Sequence, residues 1–332
     1  MKPRLHVVYR SCGVENRKAR PSYYSKDVAL ASFVCAVRTL DAQPEVIFLN
    51  DGDLPVQRLE VMRACGEVLA VRCGSNVSSY RQALRLALHR GWGDDDIVWF
   101  AEDDYLYQPD ALQILVAGLR ALPHGEYFSL YSPMDIADRR RDPGTTTAGR
   151  SMTPDAAVVD ATRWLRAVST TSTFAVRLAA LRKDYRLLYA CSATGGAWDH
   201  TTCLAVQGIQ PFPWGHLLRG LLPPHRTALP RWGRSVARSA VRMLINLRSA
   251  RRRPNRRILY AAYPLPIWHM EAVENDVPGL DLDQRWHDLA HQTLSGELNP
   301  IPAGGHGADN AETGIVDLRT VTAPSDPAQS RL

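Results

Sequence analysis

Asp96-Ile97-Val98-Trp99-Phe100-Ala101-Glu102-Asp103-Asp104-Tyr105 is the stretch whose reading decides the fold. Its first part is an unbroken apolar run, β-branched and aromatic, of the kind that fills a strand covered on both faces. Its second part sets Glu102, Asp103 and Asp104 side by side at the end of that strand. Adjacent carboxylates repel one another, so something has to offset the charge. A divalent cation does this well, because Mg²⁺ and Mn²⁺ take hard oxygen ligands and bridge carboxylates to a diphosphate. In open α/β sheets, ligands collect outside the carboxyl ends of the strands, which is where this cluster falls. The competing reading is a solvated acidic turn ahead of the helix that opens near Pro109.

Outward from that stretch, short apolar runs alternate with helical patterns. Residues 6–10 and 46–49 read as strands, the second ending in the turn Asn50-Asp51-Gly52-Asp53. Residues 27–40 read as an amphipathic helix with Asp27 as its N-cap, 56–65 as a short helix, 68–71 as a third strand and 79–89 as a helix. This β-α-β-α-β-α-β order predicts an α/β fold: a mainly parallel sheet with right-handed crossovers and helices on both faces. Beyond the acidic cluster come a helix over 110–122, strands over 127–131 and 172–176, and a short helix over 198–206. Residues 135–155 read as a mobile loop, and 301–332, rich in Gly, Ala, Pro and polar groups, as a disordered tail. The chain therefore divides into a core (1–215), an Arg-rich helical segment (216–257), a part that completes the site (258–300) and the tail.

At 332 residues the chain can bury a large core. Its six cysteines have no C-x-x-C spacing and read as reduced, mostly buried thiols of a cytoplasmic protein. The apolar stretch before Arg10 is too short for a signal peptide, and no apolar run approaches a membrane span. The net charge of +6 hides an asymmetry: twelve arginines lie from Arg219 to Arg257, with no Asp or Glu between His200 and Met270. A basic segment on an otherwise acidic body implies a specific anionic partner surface.

Three stretches together resemble the core of family 2 glycosyltransferases: 74–84 (Gly-Ser-Asn-Val-Ser-Ser-Tyr-Arg-Gln-Ala-Leu), 97–104, and Pro109-Asp110-Ala111-Leu112. That family has an Arg early in the helix before the metal strand, a D-x-D-like acidic motif, and a Pro followed by Leu opening the next helix. This chain has Arg81, Glu102-x-Asp104, and Pro109 with Leu112. The resemblance extends over about 6–206 and again over 264–286, where Pro278-Gly279-Leu280-Asp281 carries it. Its departure is Glu for the first Asp of the motif, still a hard oxygen ligand. The resemblance implies a GT-A fold that binds a UDP-, GDP- or dTDP-sugar, with Mn²⁺ or Mg²⁺ on Asp104 and on Glu102. Asp103 completes the set, Arg81 reaches the diphosphate, and a carboxyl-terminal His, His269, closes the metal site.

Chemistry supports the same assignment, because glycosyl transfer leaves a nucleoside diphosphate with added negative charge that a metal and an Arg stabilise. For Arg81 the alternative is a solvated helix arginine; for His269, a packed histidine beside Trp268. Asp51 and Asp53 fall where family members set an acidic residue against the nucleotide base, and the alternative is a tight Asp-Gly turn. Arg10 and Ser11, at the end of the first strand, are further nucleotide contacts by position. Gly195-Gly196-Ala197-Trp198-Asp199 resembles the acceptor-side segment of inverting members. Inversion needs a carboxylate that removes the acceptor hydroxyl proton, and Asp199 fits; its alternative is a helix N-cap.

In the Arg-rich segment, Arg234, Arg238 and Arg242 recur every four residues, with Val236, Ala240, Leu244 and Leu247 on another face. This is either an interfacial helix on an anionic membrane or a helix packed on the core with its arginines in water. Nucleic acid is not an expected partner, as no nucleic-acid fold or stacking pattern is present. The resulting expectation is a cytoplasmic, metal-dependent inverting glycosyltransferase, peripheral on the membrane under the interfacial reading of this helix, whose hydroxyl acceptor is lipid-linked or a small metabolite. One rival is a nucleotidyltransferase, whose Gly-rich, Lys-bearing loop Ser11-Cys12-Gly13-Val14-Glu15 does not supply. Another is a non-catalytic protein that docks on membrane or nucleic acid.

Overall fold

The computed structural model describes residues 3–15, 19–132, 157–222, 229–271 and 282–295. The expected loop over 135–155, the tail over 301–332 and Pro278-Gly279-Leu280-Asp281 lie outside the described residues.

The amino-terminal alternation is present as β1 (Leu5–Cys12), α1 (Lys26–Arg38), β2 (Glu45–Asp51), α2 (Val56–Arg63), β3 (Glu67–Val71), α3 (Asn76–His89) and β4 (Ile97–Glu102). After it come β5 (Tyr105–Tyr107), α4 (Ala111–Ala121), β6 (Tyr127–Ser129), β7 (Ala157–Val159), β8 (Thr162–Arg166), β9 (Phe174–Arg177) and α5 (Leu178–Cys191). The last described elements are α6 (Trp198–Val206), α7 (Trp214–Arg219), α8 (Leu229–Arg252), β10 (Leu259–Tyr263), β11 (Ile267–His269) and α9 (Leu282–Ser295). Among the described residues nine strands form one sheet, in the order β3-β2-β1-β4-β9-β6-β10-β8-β7. β9 and β8 run against the rest. β5 and β11 pair separately.

Strand alternation splits the core into two layers, one on each face. Val7 and Tyr9 of β1 and Trp99 of β4 pack with Phe33 of α1, Met62 of α2 and Leu112 of α4. Val8 and Phe100 face the other way, to Leu84 of α3, Leu188 of α5, Val206 of α6 and Ile245 of α8. Burial on both faces is why β1, β2 and β4 read as continuous apolar runs rather than alternating ones.

Two local readings change. The N-cap of α1 is Ser25, whose Oγ accepts from Asp27 N at 3.1 Å. Asp27 lies within the first turn, where a carboxylate suits the positive helix end, and accepts from Arg58 Nε at 2.7 Å. The basic helix is longer than expected, and its packed face is not the expected stripe of Val236, Ala240, Leu244 and Leu247. α8 packs on α5, α6 and α7, burying Ser239, Ile245, Asn246 and Ser249. Asn246 exchanges bonds with the Phe212 backbone at 3.1 and 2.8 Å, and Ser249 donates to Ile209 O at 2.8 Å. Leu244 (43 % exposed) and Leu247 (48 %) face outward instead. The cysteines form no disulfide among the described residues, and Cys191 and Cys203 are buried.

Candidate active site

The carboxyl ends of β1, β2 and β4 open on a cleft of about 1430 Å³. Arg10, Ser11, Asp51, Asp53, Glu102, Asp103, Asp104, Asp199 and His269 all line it. Arg81 does not: its Nε donates to Ser192 Oγ at 2.8 Å, and its guanidinium lies 4.0 Å over the Tyr189 ring. It ties α3 to α5.

Each carboxylate of the triplet meets its own cation. Glu102 Oε1 accepts from Arg10, while its Oε2 accepts from Ser172 Oγ at 2.7 Å and Thr173 Oγ1 at 3.1 Å. The longer Glu side chain thus reaches back to lock β4 to β1 and to the segment entering β9. Arg10 is held in turn by Asn76 Oδ1 at 2.8 Å. Asp103 Oδ2 accepts from Cys12 N at 2.9 Å and lies 3.2 Å from Lys26 Nζ. Asp104 Oδ2 accepts from Arg20 Nη2 at 3.1 Å and is 3.1 Å from His269 Nε2. Burial pushes Asp103 up to about 6 against the pull of Lys26. Burial acts on Asp104 too, but the His269 hydrogen bond and the Arg20 charge outweigh it and hold that carboxyl well below the usual range.

Sequence reasoning missed Arg20 and Lys26. Lys26 opens α1 and spends its remaining donors on Cys12 O at 2.6 Å and Val14 O at 3.1 Å, nearly buried. A lysine in the first turn of a helix otherwise reads as solvated. The one available signal was the triplet's own need for counter-charge.

His269 arrives through pairing. β11 runs antiparallel to β5 with His269 opposite Tyr105, Met270 N donates to Asp104 O at 2.9 Å, and the His269 ring stacks on Tyr105 at 4.7 Å. At the end of β2, Asp51 Oδ1 accepts from Cys73 N at 2.7 Å, fastening β2 to the exit of β3, and Asp53 is exposed. Ser11 donates to Asn50 Oδ1 at 2.5 Å. Gly13 passes so close to this turn that a Cβ would sit 2.0 Å from Asp53 O, so the β1 exit loop requires glycine.

Gly195 and Gly196 have φ of +70° and +62°, the left-handed region that favours glycine, and they swing the chain into α6. Trp198 packs on Tyr80 at 4.4 Å and anchors the helix start. The cap position is Ala197, so Asp199 is in the first turn and is not the N-cap; its Oδ1 accepts from His200 N at 2.8 Å. Burial pushes the Asp199 carboxyl up; the His200 N–H opposes this and the Glu102 charge adds to it. A carboxylate with a raised pKa is a better proton acceptor near neutrality.

A metal fits here in a restricted way. Among the described residues, no three His, Cys, Asp or Glu side chains are grouped to hold an ion by themselves. Asp104 Oδ2 and His269 Nε2 do converge, a hard oxygen and an imidazole. An ion held there would need its remaining ligands from water or from the oxygens of a bound anion. Charge favours such an ion: the lining holds eight carboxylates against four Lys or Arg. A diphosphate entering alone would meet net repulsion.

No protein-family model matches the chain, and no curated protein is similar to it. Solved structures are similar at low levels. S. aureus TarS is 15 % identical over 60 % of this chain, with a TM-score of 0.39. The chain spans about a third of that protein, 33 % of its length. An active-site mutant of LgtC is 12 % identical over 90 % of this chain and 97 % of its own, with a TM-score of 0.41. CMP:2-keto-3-deoxy-manno-octonic acid synthetase with CTP is 14 % identical over 88 % and 99 %, with a TM-score of 0.36. TarS and LgtC are glycosyltransferases, and TarS has been solved with UDP and with UDP-GlcNAc. Likeness at these scores decides nothing about this chain's activity.

Proposed function

We propose that the protein is an inverting glycosyltransferase that moves a sugar from a UDP-, GDP- or dTDP-sugar to an acceptor hydroxyl. The observation that carries this reading is the meeting, in one cleft, of the acidic end of β4, the Asp104–His269 pair and Asp199. Asp199 takes the hydroxyl proton as the acceptor oxygen bonds to the anomeric carbon. The bond from that carbon to the diphosphate breaks, and its electrons leave with the nucleoside diphosphate. Asp104 and His269 would hold Mn²⁺ or Mg²⁺, which would supply positive charge beside the leaving group. Asp103 and Asp104 are kept in position by Lys26 and Arg20, and Glu102 fixes the strand edge. Asp51 and Asp53 are the contacts for a ring N–H of the base, beside Arg10 and Ser11.

The acceptor is a lipid-linked hydroxyl or a small metabolite. The outward leucines of α8, with exposed Arg234 and Arg238, favour the lipid-linked case by bringing the enzyme to an anionic membrane surface. Arg242 contributes less, since it donates to Thr194 O at 3.1 Å and lies over Phe212. No described helix is long and apolar enough to cross a membrane.

Incubation with UDP-, GDP- and dTDP-sugars, with and without Mn²⁺, tests the reading. The expected outcome is Mn²⁺-dependent release of one nucleoside diphosphate. Release of pyrophosphate from a nucleoside triphosphate and a sugar or sugar phosphate would make the protein a nucleotidyltransferase instead.

A further inference from the structure

A second concavity of about 860 Å³ shares no lining residue with the cleft. β4 is antiparallel to β9, β9 is antiparallel to β6, and β6 is parallel to β10, so β6 and β10 run with β4. Of the residues that line this pocket, Glu126 directly precedes β6 and Arg257 lies two residues before β10. The pocket therefore lies at the amino ends of the strands, the edge opposite the cleft.

Its lining is cationic. Arg252 and Arg257 are anchored on the fully buried carboxylate of Asp184, with Arg257 Nε at 2.8 Å, and Tyr127 OH donates to the same carboxylate at 2.9 Å. Arg257 also meets Glu126 at 3.1 Å. Lys183, Arg186, Arg248, Arg251 and Arg256 line the same space with no acidic partner among the described residues. Like charges gathered in one concavity repel unless an anion enters it. Guanidinium forks match phosphate oxygens bidentately, and two of them are already fixed by a buried carboxylate. The volume is that of a small-molecule pocket, typically about 300–1,000 Å³.

We propose that this edge carries a second site, separate from the acidic cleft, that binds a phosphate-bearing anion. The ligand is a free phosphate compound or the phosphate headgroup of a lipid. The variant Lys183→Gln/Arg186→Gln/Arg251→Gln removes three exposed cations that hold nothing in place, so the fold should survive, as an unchanged thermal midpoint would verify. Calorimetric titration with inorganic pyrophosphate should show a binding event in the wild type that weakens at least tenfold in the variant. Equal pyrophosphate binding by both proteins would overturn the site, since the anion would then be in the cleft; absence of binding by the wild type would overturn it too. Co-sedimentation with phosphatidic acid vesicles, against phosphatidylcholine vesicles, separates the sources. Capture that pyrophosphate competes away and the variant loses identifies a headgroup site, whereas pyrophosphate binding without capture identifies a soluble ligand. Vesicle capture without any pyrophosphate binding would reduce the pocket to a diffuse basic surface and end the proposal.

Discussion

At the carboxyl edge of the sheet, eight carboxylates and four Lys or Arg side chains line the cleft; at the amino edge, seven Lys or Arg side chains and one carboxylate line the pocket. At each edge the most deeply buried charge has the minority sign, although Arg72 in the cleft and Glu126 in the pocket are more open. The side chains of Arg10, Lys26 and Arg20 are only 4 %, 5 % and 11 % exposed among the acids of the cleft. Asp184 is 0 % exposed beneath the arginines. A charge can leave water only where opposite charge and hydrogen bonds receive it, so each edge is organised around the group it has least of. What remains exposed is the majority charge, and it sets what each edge can bind. The net +6 of the chain describes neither.

Whether the acidic edge is catalytic at all rests first on Asp199. Asp199→Asn should cut turnover by roughly two to four orders of magnitude, the worth of a positioned general base, while nucleoside diphosphate binding by calorimetry stays intact. Asp199 does not cap α6, so the loss cannot be ascribed to an uncapped helix. The pH profile adds a sign. Burial raises this carboxyl, so kcat/KM should fall as pH drops through that raised value and the base takes up a proton. The variant should lack that acid limb. A loss below about tenfold, or retention at the product anomer, would remove Asp199 from the mechanism.

Asp184→Ala comes next and tests the claim that the buried minority charge holds its edge together. Removing it leaves Arg252 and Arg257 without their shared carboxylate and Tyr127 OH without its acceptor. Breaking a buried ion pair from one side costs about 3–5 kcal/mol, and urea unfolding should register a loss of that order. A cost under about 1 kcal/mol would mean that water reaches the pair and that the amino edge is an ordinary solvated surface.

The parallel core was legible because β1, β2 and β4 are apolar runs separated by helical patterns, a local signal that needs no tertiary knowledge. The cleft lining was largely legible for a related reason: residues at strand ends are placed by topology alone, and His269 follows once β11 pairs with β5. What could not be read was pairing between distant charges. Nothing near Lys26 marks it as the partner of Asp103, and nothing near Arg20 points 84 residues along to Asp104. α8 was illegible in another way. Its apolar stripe left open whether that face meets the core or a membrane, and the core instead accepts Asn246 and Ser249, whose side chains donate to the carbonyls of Phe212 and Ile209.

The smallest expected effect sharpens the boundary of the cleft. Arg81 occupies the position at which the family resemblance implies a diphosphate contact, yet its side chain is engaged between α3 and α5. It donates to Ser192 Oγ and to Tyr189 O at 2.8 and 3.2 Å and lies over the Tyr189 ring. Arg81→Gln keeps the helix propensity and removes the stacking, so it should cost about 1 kcal/mol of stability. A diphosphate contact predicts a different pattern: a donor KM at least tenfold higher with stability unchanged. The expected result is the reverse, with kcat/KM within about twofold of wild type and a lower urea midpoint. That split would leave Arg10, Arg20 and Lys26, the buried cations of the cleft, as the ones placed to meet an anionic ligand there.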